Sequence, residues 1–132
     1  GSRVYYTVKK NKIRELLNLQ NGNRGFGHLA QCLMIVTVDL SIFEGFRERN
    51  QAYIDGGLFS MSLLYAMTYL GLGACPLNWC VDTDRDKKLR KIINLPDNEI
   101  VMMMISAGNL PQKIKIAKSN RSNVSDIIKC IK

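Results

Sequence analysis

The distribution of hydrophobic and polar positions divides the chain into segments of strand and helix length. Val4–Val8 is rich in β-branched and aromatic residues, whereas Lys9–Leu19 repeats apolar residues at the i, i+3, i+4 spacing of an amphipathic helix. Leu33–Val38 and Ile100–Ala107 are continuous apolar runs of strand length. Such runs are typical of buried strands, so we predict one strand at each position.

The segment from about Arg47 to Leu70 gives the longest helical signal in the chain. Its apolar residues cover more than one side of a helical wheel, which predicts a central, buried helix. Gly56 and Gly57 lie in its middle, and a glycine costs a helix interior about 1 kcal/mol. The pair therefore requires an explanation in terms of packing or ligand binding.

The remaining segments complete an α+β pattern. Thr83 followed by Asp86 resembles a capping box, and it predicts a short helix that ends at Asn94-Leu95-Pro96. Val124–Lys132 is predicted to form a last helix. Since the chain shows no internal repeat and no linker, we expect residues 1–132 to form a single domain.

The composition agrees with one globular domain. The 132 residues are 46% hydrophobic and 23% charged, which is ordinary for such a domain. The longest apolar runs are far shorter than the roughly 20 residues of a membrane-spanning helix, so no membrane partner is expected. We interpret Gly1 and Ser2 as a cloning remnant, and we expect the sequence to begin partway into a longer gene product.

The formal net charge of +8 leaves nucleic acid, a membrane surface and an anionic cofactor open as partners. The basic residues are scattered, however, and mixed clusters such as Asp84–Lys88 are typical of solvated helix faces. The pattern of interleaved aromatic residues that marks RNA-binding motifs is missing. Nucleic acid is therefore the least favoured partner.

The cysteines and the histidine do not predict a metal site. Cys32, Cys75, Cys80 and Cys130 lack the C-x-x-C spacing of zinc sites, and the single histidine, His28, is remote from Cys75 and Cys80 in sequence. Cys32 and Cys130 have apolar neighbours in sequence, which favours buried free thiols. Reduced cysteines fit a cytoplasmic protein.

The Gly71-x-Gly73 pair lacks the context of a dinucleotide-binding motif. That motif needs a strand before its glycines and a helix that begins within them. Here a long helix precedes the glycines, so we predict that they end it, with one of them in the left-handed conformation. The segment that follows, Ala74–Trp79, is predicted to be a loop.

The order of these elements resembles the C-terminal half of the nitroreductase family of flavin enzymes. The resemblance covers Leu33–Arg121 and rests on Tyr53–Gly57, Gly71–Gly73, Ala74–Trp79, Asp82–Leu95 and Val101–Gly108. It implies an α+β nitroreductase-like fold, with a mainly antiparallel central sheet flanked by helices. It also implies FMN as cofactor, NAD(P)H as electron donor and a homodimer formed through the Arg47–Leu70 helix.

The resemblance assigns four cofactor-binding residues. Pro76, Leu77 and Asn78 match the segment whose backbone borders the reactive N5–O4 side of the flavin, where an N–H stabilises negative charge as the ring is reduced. Arg121 matches the basic residue that binds the FMN phosphate, a role that suits a guanidinium. The alternatives are that Pro76 only rigidifies a turn and that Arg121 is an ordinary surface residue.

Two further segments, Asn21–Gly27 and Phe43–Arg49, match variable regions on the substrate side of the family's site. Phe26 or Phe43 is a candidate for stacking on the ring, although a packed core aromatic is the more common role. The family's N-terminal FMN-binding helices have no counterpart before Arg3, so we expect either a truncated chain or a naturally minimal relative.

The expected function is therefore that of an FMN-dependent NAD(P)H oxidoreductase acting on nitro- or quinone-like acceptors, as a truncated fragment with weakened flavin binding. No catalytic residue is assigned, because the cofactor carries such chemistry. The alternatives are a catalytically silent dimeric fragment and a non-enzymatic binding module.

Overall fold

The computed structural model describes residues 1–114 and 118–131. Four strands form one sheet: β1 (Ser2–Thr7), β2 (Cys32–Asp39), β3 (Leu72–Asn78) and β4 (Glu99–Asn109). The α-helices are α1 (Lys10–Leu17), α2 (Gln51–Tyr69), α3 (Thr83–Ile93) and α4 (Val124–Ile127). Short 3₁₀ turns cover Gly27–Leu29, Leu40–Ile42 and Phe46–Glu48.

The strands lie in the order β1-β2-β4-β3, and all neighbouring pairs are antiparallel. The two apolar runs form the central strands β2 and β4, which confirms their prediction as buried strands. Between Val36 and Thr37 the register with β4 shifts, so that Met102 is an extra residue on β4. The α+β architecture with an antiparallel sheet is the one that the sequence predicted.

The two faces of the sheet carry two separate apolar clusters. One face packs against α1 and α3 through Leu16, Leu33, Ile35, Leu77, Leu89 and Met104. The other face packs against α2 through Val36, Met67, Ile105 and Ala107. The side chains of β3 alternate between these clusters, since Leu77 belongs to the first and Ala74 packs against the second.

Helix α2 differs from its prediction in its start and in its burial. It begins at Gln51, because Arg47 belongs to a preceding 3₁₀ turn. Only one side is buried by this chain, along Ala52, Gly56, Ser60 and Met67. The prediction of a helix buried all round is therefore wrong for the single chain. The rest of the helix surface exposes large apolar and aromatic residues, among them Tyr53, Ile54, Leu58, Met61, Tyr65 and Tyr69.

Packing explains one glycine of the helix and not the other. A Cβ on Gly56 would lie 2.7 Å from Met102 Sδ and 2.9 Å from Val38 Cγ2. Glycine at this position therefore lets the helix approach the sheet closely. A Cβ on Gly57 would meet no atom within 4 Å.

Other helix ends also differ from the predictions. Asp82, not Thr83, caps α3, since its carboxylate accepts from the Arg85 N–H at 2.9 Å. The last helix covers only Val124–Ile127, and Lys132 lies outside the described residues. The sequence favoured a buried thiol at Cys130, but this residue is exposed. All described residues from 118 onwards are exposed as well.

The Gly71-x-Gly73 segment is partly as predicted. Gly71 adopts the left-handed conformation with φ +74°, and its N–H donates to the Thr68 carbonyl at 3.0 Å, so it ends α2. The segment that follows is not a loop, however. Residues Leu72–Asn78 form the edge strand β3.

Candidate functional site

The position of β3 at the edge of the sheet determines which of its backbone groups face outwards. The Asp39 N–H donates to the Gly1 carbonyl at 3.0 Å, on the β1 side of β2. The direction of the backbone hydrogen bonds alternates from residue to residue along antiparallel strands. Counted from Asp39 through the register of β2 with β4, the backbone N–H and C=O of Met104 point towards β3, where Met104 pairs with Leu77. The intervening residues Pro76 and Asn78 direct their backbone groups away from the sheet.

Two further observations agree with this direction. Proline has no N–H, so it is tolerated within a strand where that position faces outwards from an edge. In addition, Gln20 Nε2 donates to the Asn78 carbonyl at 3.1 Å, from outside the sheet. The Asn78 N–H therefore points to the outer side of the edge, next to a Pro76 that offers no donor.

The three residues of the predicted flavin-binding segment have different environments. Pro76 and Asn78 are exposed, whereas Leu77 is only 4% exposed and packs in the cluster under α1 and α3. Leu77 fixes the strand to the core, and its two neighbours present the outer surface.

The residues after Asn78 are anchored to α3. Trp79 Nε1 donates to Asp86 Oδ1 at 2.8 Å, and Arg90 Nε donates to Asp86 Oδ2 at 2.7 Å. Burial raises the pKa of Asp86, but these hydrogen bonds outweigh it, so the pKa lies below its ordinary value. Arg90 also donates to the Glu99 carbonyl at 2.8 Å. The sequence pattern had suggested a capping role for Asp86, and the structure gives it this anchoring role instead.

Arg121 is exposed, and its guanidinium donates to the Ser119 hydroxyl. Within the described residues, no hydrogen bond or ion pair joins Arg121 to the segment from Pro76 to Asn78. Its role at the FMN phosphate therefore stays a prediction. Phe26 packs at the margin of the core cluster under α1, which agrees with the core alternative for that residue.

A polar cluster that the sequence did not indicate lies on the α1 side of the sheet, between β1, β2 and β4. Glu99 is completely buried, and its carboxylate accepts from Thr37 Oγ1 at 2.6 Å, from Tyr5 Oη at 3.1 Å and from Arg3. Arg3 Nη2 also donates to Asp39 Oδ2 at 2.8 Å. The cluster ties the first strand to the two central strands.

The hydrogen bonds of this cluster change the pKa values of its members. Burial raises the pKa of Glu99, but the donors Thr37, Arg3 and Tyr5 outweigh it, so the pKa lies below its ordinary value. Hydrogen bonds from Ser41 above all lower the pKa of Asp39 to about 2. Burial and the bond to Glu99 raise the pKa of the Tyr5 hydroxyl.

Residues 1–114 and 118–131 contain neither a metal-binding cluster nor a membrane-spanning helix. No group of three or more His, Cys, Asp or Glu side chains is arranged to hold a metal ion there. No helix in these ranges is long and apolar enough to cross a membrane.

The fold defines an α+β protein in which the edge strand β3 directly follows the end of a long helix. The model of the nitroreductase family matches residues 3–109. The chain therefore belongs to the nitroreductase family, as its sequence predicted. Membership supports an oxidoreductase function in general terms. A comparison with curated proteins gives no significant match.

Solved structures show the same fold at low sequence identity. A candidate NADH dehydrogenase/NAD(P)H nitroreductase from Parabacteroides distasonis is 22% identical with a TM-score of 0.76, over 97% of this chain and 71% of that one. An FMN-dependent nitroreductase from Clostridium difficile is 21% identical with a TM-score of 0.72, over 95% and 69%. A nitroreductase-like protein from Streptococcus mutans is 18% identical with a TM-score of 0.76, over 99% and 77%.

Proposed function

We propose that this protein is an FMN-dependent NAD(P)H oxidoreductase that acts on nitro- or quinone-like acceptors. The observation that carries the proposal is the outward-facing edge of β3 at Pro76 and Asn78. The similarity to an FMN-dependent nitroreductase from Clostridium difficile supports the choice of cofactor.

The residues at this edge fit a flat ring with a polar margin. Pro76 gives an exposed apolar surface without a donor, and Asn78 directs one backbone N–H outwards. When bound, FMN supplies the hydride-transfer chemistry. An N–H held at the margin of the ring favours negative charge there, which is the contribution that the protein itself makes.

The surrounding contacts hold this donor in place. Leu77 is packed in the core, the Asn78 carbonyl accepts from Gln20, and Trp79 is bonded to Asp86. A donor on a strand that is fixed on both sides loses little freedom when a ligand binds.

The same proposal covers the affinity for FMN, the oligomeric state, the location and the acceptor. FMN binding by these 132 residues alone is weak, since one strand edge supplies most of the assigned contacts and Arg121 supplies the phosphate contact. The protein is a cytoplasmic homodimer of one-domain chains, paired through the segment Arg47–Leu70, whose helix α2 exposes its apolar side. The acceptor is a small molecule, and no nucleic acid or membrane is involved.

The test is a titration of the purified chain with FMN, followed by visible absorbance and flavin fluorescence. Asn78→Pro removes the outward N–H and leaves the ladder bonds of Leu77 in place. We expect it to weaken FMN binding about tenfold, the effect of losing one hydrogen bond to the ring. Ala74→Pro is the matched control, because it removes an outward N–H on the same strand edge, four residues before Asn78.

Two results would contradict the proposal. One is the absence of any spectral change with the unmodified chain at millimolar FMN. The other is an equal loss of affinity in the Asn78→Pro and Ala74→Pro variants, because that would mean that the strand as a whole, and not the Asn78 donor, matters.

A catalytically silent dimer, or a binding module without enzymatic activity, is the second candidate. The exposed apolar side of α2 favours it, since pairing of that side requires no cofactor. A chain that is dimeric in light scattering but shows no response to FMN would select this candidate.

A further inference from the structure

A cleft lies along α1, on the side of the helix that faces the segment Asn23–Gln31. Its volume is about 570 Å³, within the range of small-molecule sites. Apolar side chains of Ile13 and Leu17 contribute to its lining. Basic or protonatable side chains line it from two elements: Lys10 and Arg14 from α1, and Arg24 and His28 from the facing segment.

The charge of this cleft has one sign. In the described part of the chain, no Asp or Glu lines it. Lys10, Arg14, Arg24 and His28 are exposed, and within residues 1–114 and 118–131 none of them forms a side-chain hydrogen bond or ion pair. Several other basic side chains are paired, as with Lys12 to Glu15 and Arg90 to Asp86. A concave site that is lined by positive charges without negative ones attracts and concentrates anions.

We propose that this cleft binds a small phosphorylated molecule. Lys10 and Arg14 are one helical turn apart on the same face of α1, and they lie across the cleft from Arg24 and His28. A phosphate between the two walls would accept hydrogen bonds from both, and arginine offers paired donors that match its oxygens. The volume leaves room for the organic part of an ester.

The shape and the lining favour a small molecule over nucleic acid. Binding of a nucleic-acid backbone uses an extended basic surface, and binding of single strands adds aromatic residues on which bases stack. This basic group is confined to one cleft, and its described lining residues include no Phe, Tyr or Trp.

The cleft is distinct in its residues from the edge of β3, although one side chain lies between the two. Gln20 donates to the Asn78 carbonyl at 3.1 Å and accepts from Asn23 Nδ2 at 3.1 Å, and Asn23 lines the cleft. Since FMN is itself a phosphate ester, the experiment must separate the two sites. The proposal does not depend on the proposed flavin function.

The experiment is an NMR titration of the ¹⁵N-labelled chain at constant ionic strength, with pyrophosphate, glucose 6-phosphate and glucose as probes. We expect saturable shifts of amide signals in residues 10–18 and 23–31 with both phosphate compounds, and none with glucose. Arg14→Gln with Arg24→Gln should weaken both about tenfold. Lys87→Gln with Lys88→Gln removes the same charge from an exposed part of α3 and should change affinity less than about twofold.

Circular dichroism of both double variants checks that the fold is retained, and all four positions are exposed. Equal weakening in the two double variants would overturn the proposal in favour of unspecific charge attraction. Binding of pyrophosphate without glucose 6-phosphate would overturn it in favour of inorganic anions. A single-stranded oligonucleotide that binds more tightly, with shifts spread beyond the cleft, would overturn it in favour of nucleic acid.

The FMN titration of the same variants separates this site from the flavin. We expect Arg14→Gln with Arg24→Gln to leave FMN affinity unchanged. A loss of FMN affinity as large as the loss for glucose 6-phosphate would assign the cleft to the flavin phosphate and overturn a separate site. Failure of the unmodified chain to bind FMN would contradict the flavin proposal and leave the phosphate result unaffected.

Discussion

Thr37 Oγ1 donates a 2.6 Å hydrogen bond to Glu99 Oε2, and both side chains are completely buried where β2 pairs with β4. Arg3 and Tyr5 on β1 donate to the same carboxylate. A buried carboxylate with donors from three side chains holds β1 and the two central strands together most strongly while it is ionised, because hydrogen bonds to a charged acceptor are the stronger ones. The cluster therefore makes the stability of the fold depend on pH.

The stability of the protein should decrease as the pH falls from about 5 towards 2. The pKa of Glu99 and that of Asp39, at about 2, lie below their ordinary values in the folded state. Each carboxylate thus contributes stability that is complete above its unfolded pKa and is lost as the pH falls through its folded pKa. Urea unfolding at several pH values between 7 and 2, followed by circular dichroism, measures this dependence.

Glu99→Gln should lower the free energy of unfolding at pH 7 by about 1–3 kcal/mol, the value of a charged buried hydrogen-bond acceptor. It should also make the pH dependence less steep, because one of the two ionisations is removed. Asp97→Asn, which changes an exposed carboxylate nearby, is the matched control and should alter neither quantity appreciably. An unchanged acid dependence in Glu99→Gln would contradict this role of the cluster.

Tyr5 and Tyr6 allow the contribution of one hydroxyl to be measured at adjacent positions. Tyr5 Oη donates to Glu99 at 3.1 Å, whereas Tyr6 is 73% exposed. Tyr5→Phe should cost about 1–2 kcal/mol in the free energy of unfolding, because it removes a donor to a buried charge. Tyr6→Phe should cost less than about 0.5 kcal/mol. Equal effects of the two substitutions in urea unfolding would argue against this contact.

Gly56 and Gly57 provide a second adjacent pair. Alanine improves helix propensity by about 1 kcal/mol at either position, so the difference between the variants isolates packing. At Gly56 the new Cβ meets Met102 and Val38, whereas at Gly57 it meets open space. Gly56→Ala should therefore be less stable than Gly57→Ala by about 1–3 kcal/mol. Thermal unfolding of both variants gives this difference, and a Gly56→Ala variant that is the more stable of the two would contradict the close contact.

The elements marked by long, strongly apolar segments could be predicted from the sequence. The central strands and the long helix belong to this group, because burial of their side chains determines their pattern. The start of α2 could not be placed, because Phe46–Glu48 continues the helical pattern as a 3₁₀ turn. Burial on one side of α2 was also missed, since an apolar surface for a partner and one for the core have the same composition.

The edge strand and the polar cluster could not be predicted from the sequence, and the physical reason differs between them. β3 contains Gly73 and Pro76, which are depleted in strands, and Pro76 is tolerated because its position faces away from β4. The cluster joins residues as far apart as Arg3 and Glu99, which are separated by 96 positions. No local pattern marks such a contact. Family resemblance proposed Pro76, Leu77 and Asn78 as the segment that binds flavin, whereas the direction of the Asn78 N–H needed the strand register.

Gly71 should be sensitive to substitution because of its backbone conformation. Its φ of +74° lies in the left-handed region, where a residue with a Cβ costs about 1–2 kcal/mol. Gly71→Ala should lower the free energy of unfolding by that amount. Gly45→Ala is the control, because Gly45 has an extended φ of −156° and open space around it. Calorimetry of both variants measures the difference, and equal melting temperatures would contradict a required left-handed residue at Gly71.

The exposed side of α2 should mediate dimer formation. Leu58 is 66% exposed, and Tyr53 and Tyr65 on the same helix are exposed to a similar extent. A stable dimer needs roughly 800 Å² of buried surface on each subunit, and burial of these side chains would supply its apolar centre. Leu58→Arg places an unpaired charge there and should shift the protein to a monomer in light scattering. Val8→Arg, at a 64% exposed position after β1, should leave the dimer intact. A monomeric unmodified protein at high concentration, or equal dissociation in both variants, would contradict pairing through α2.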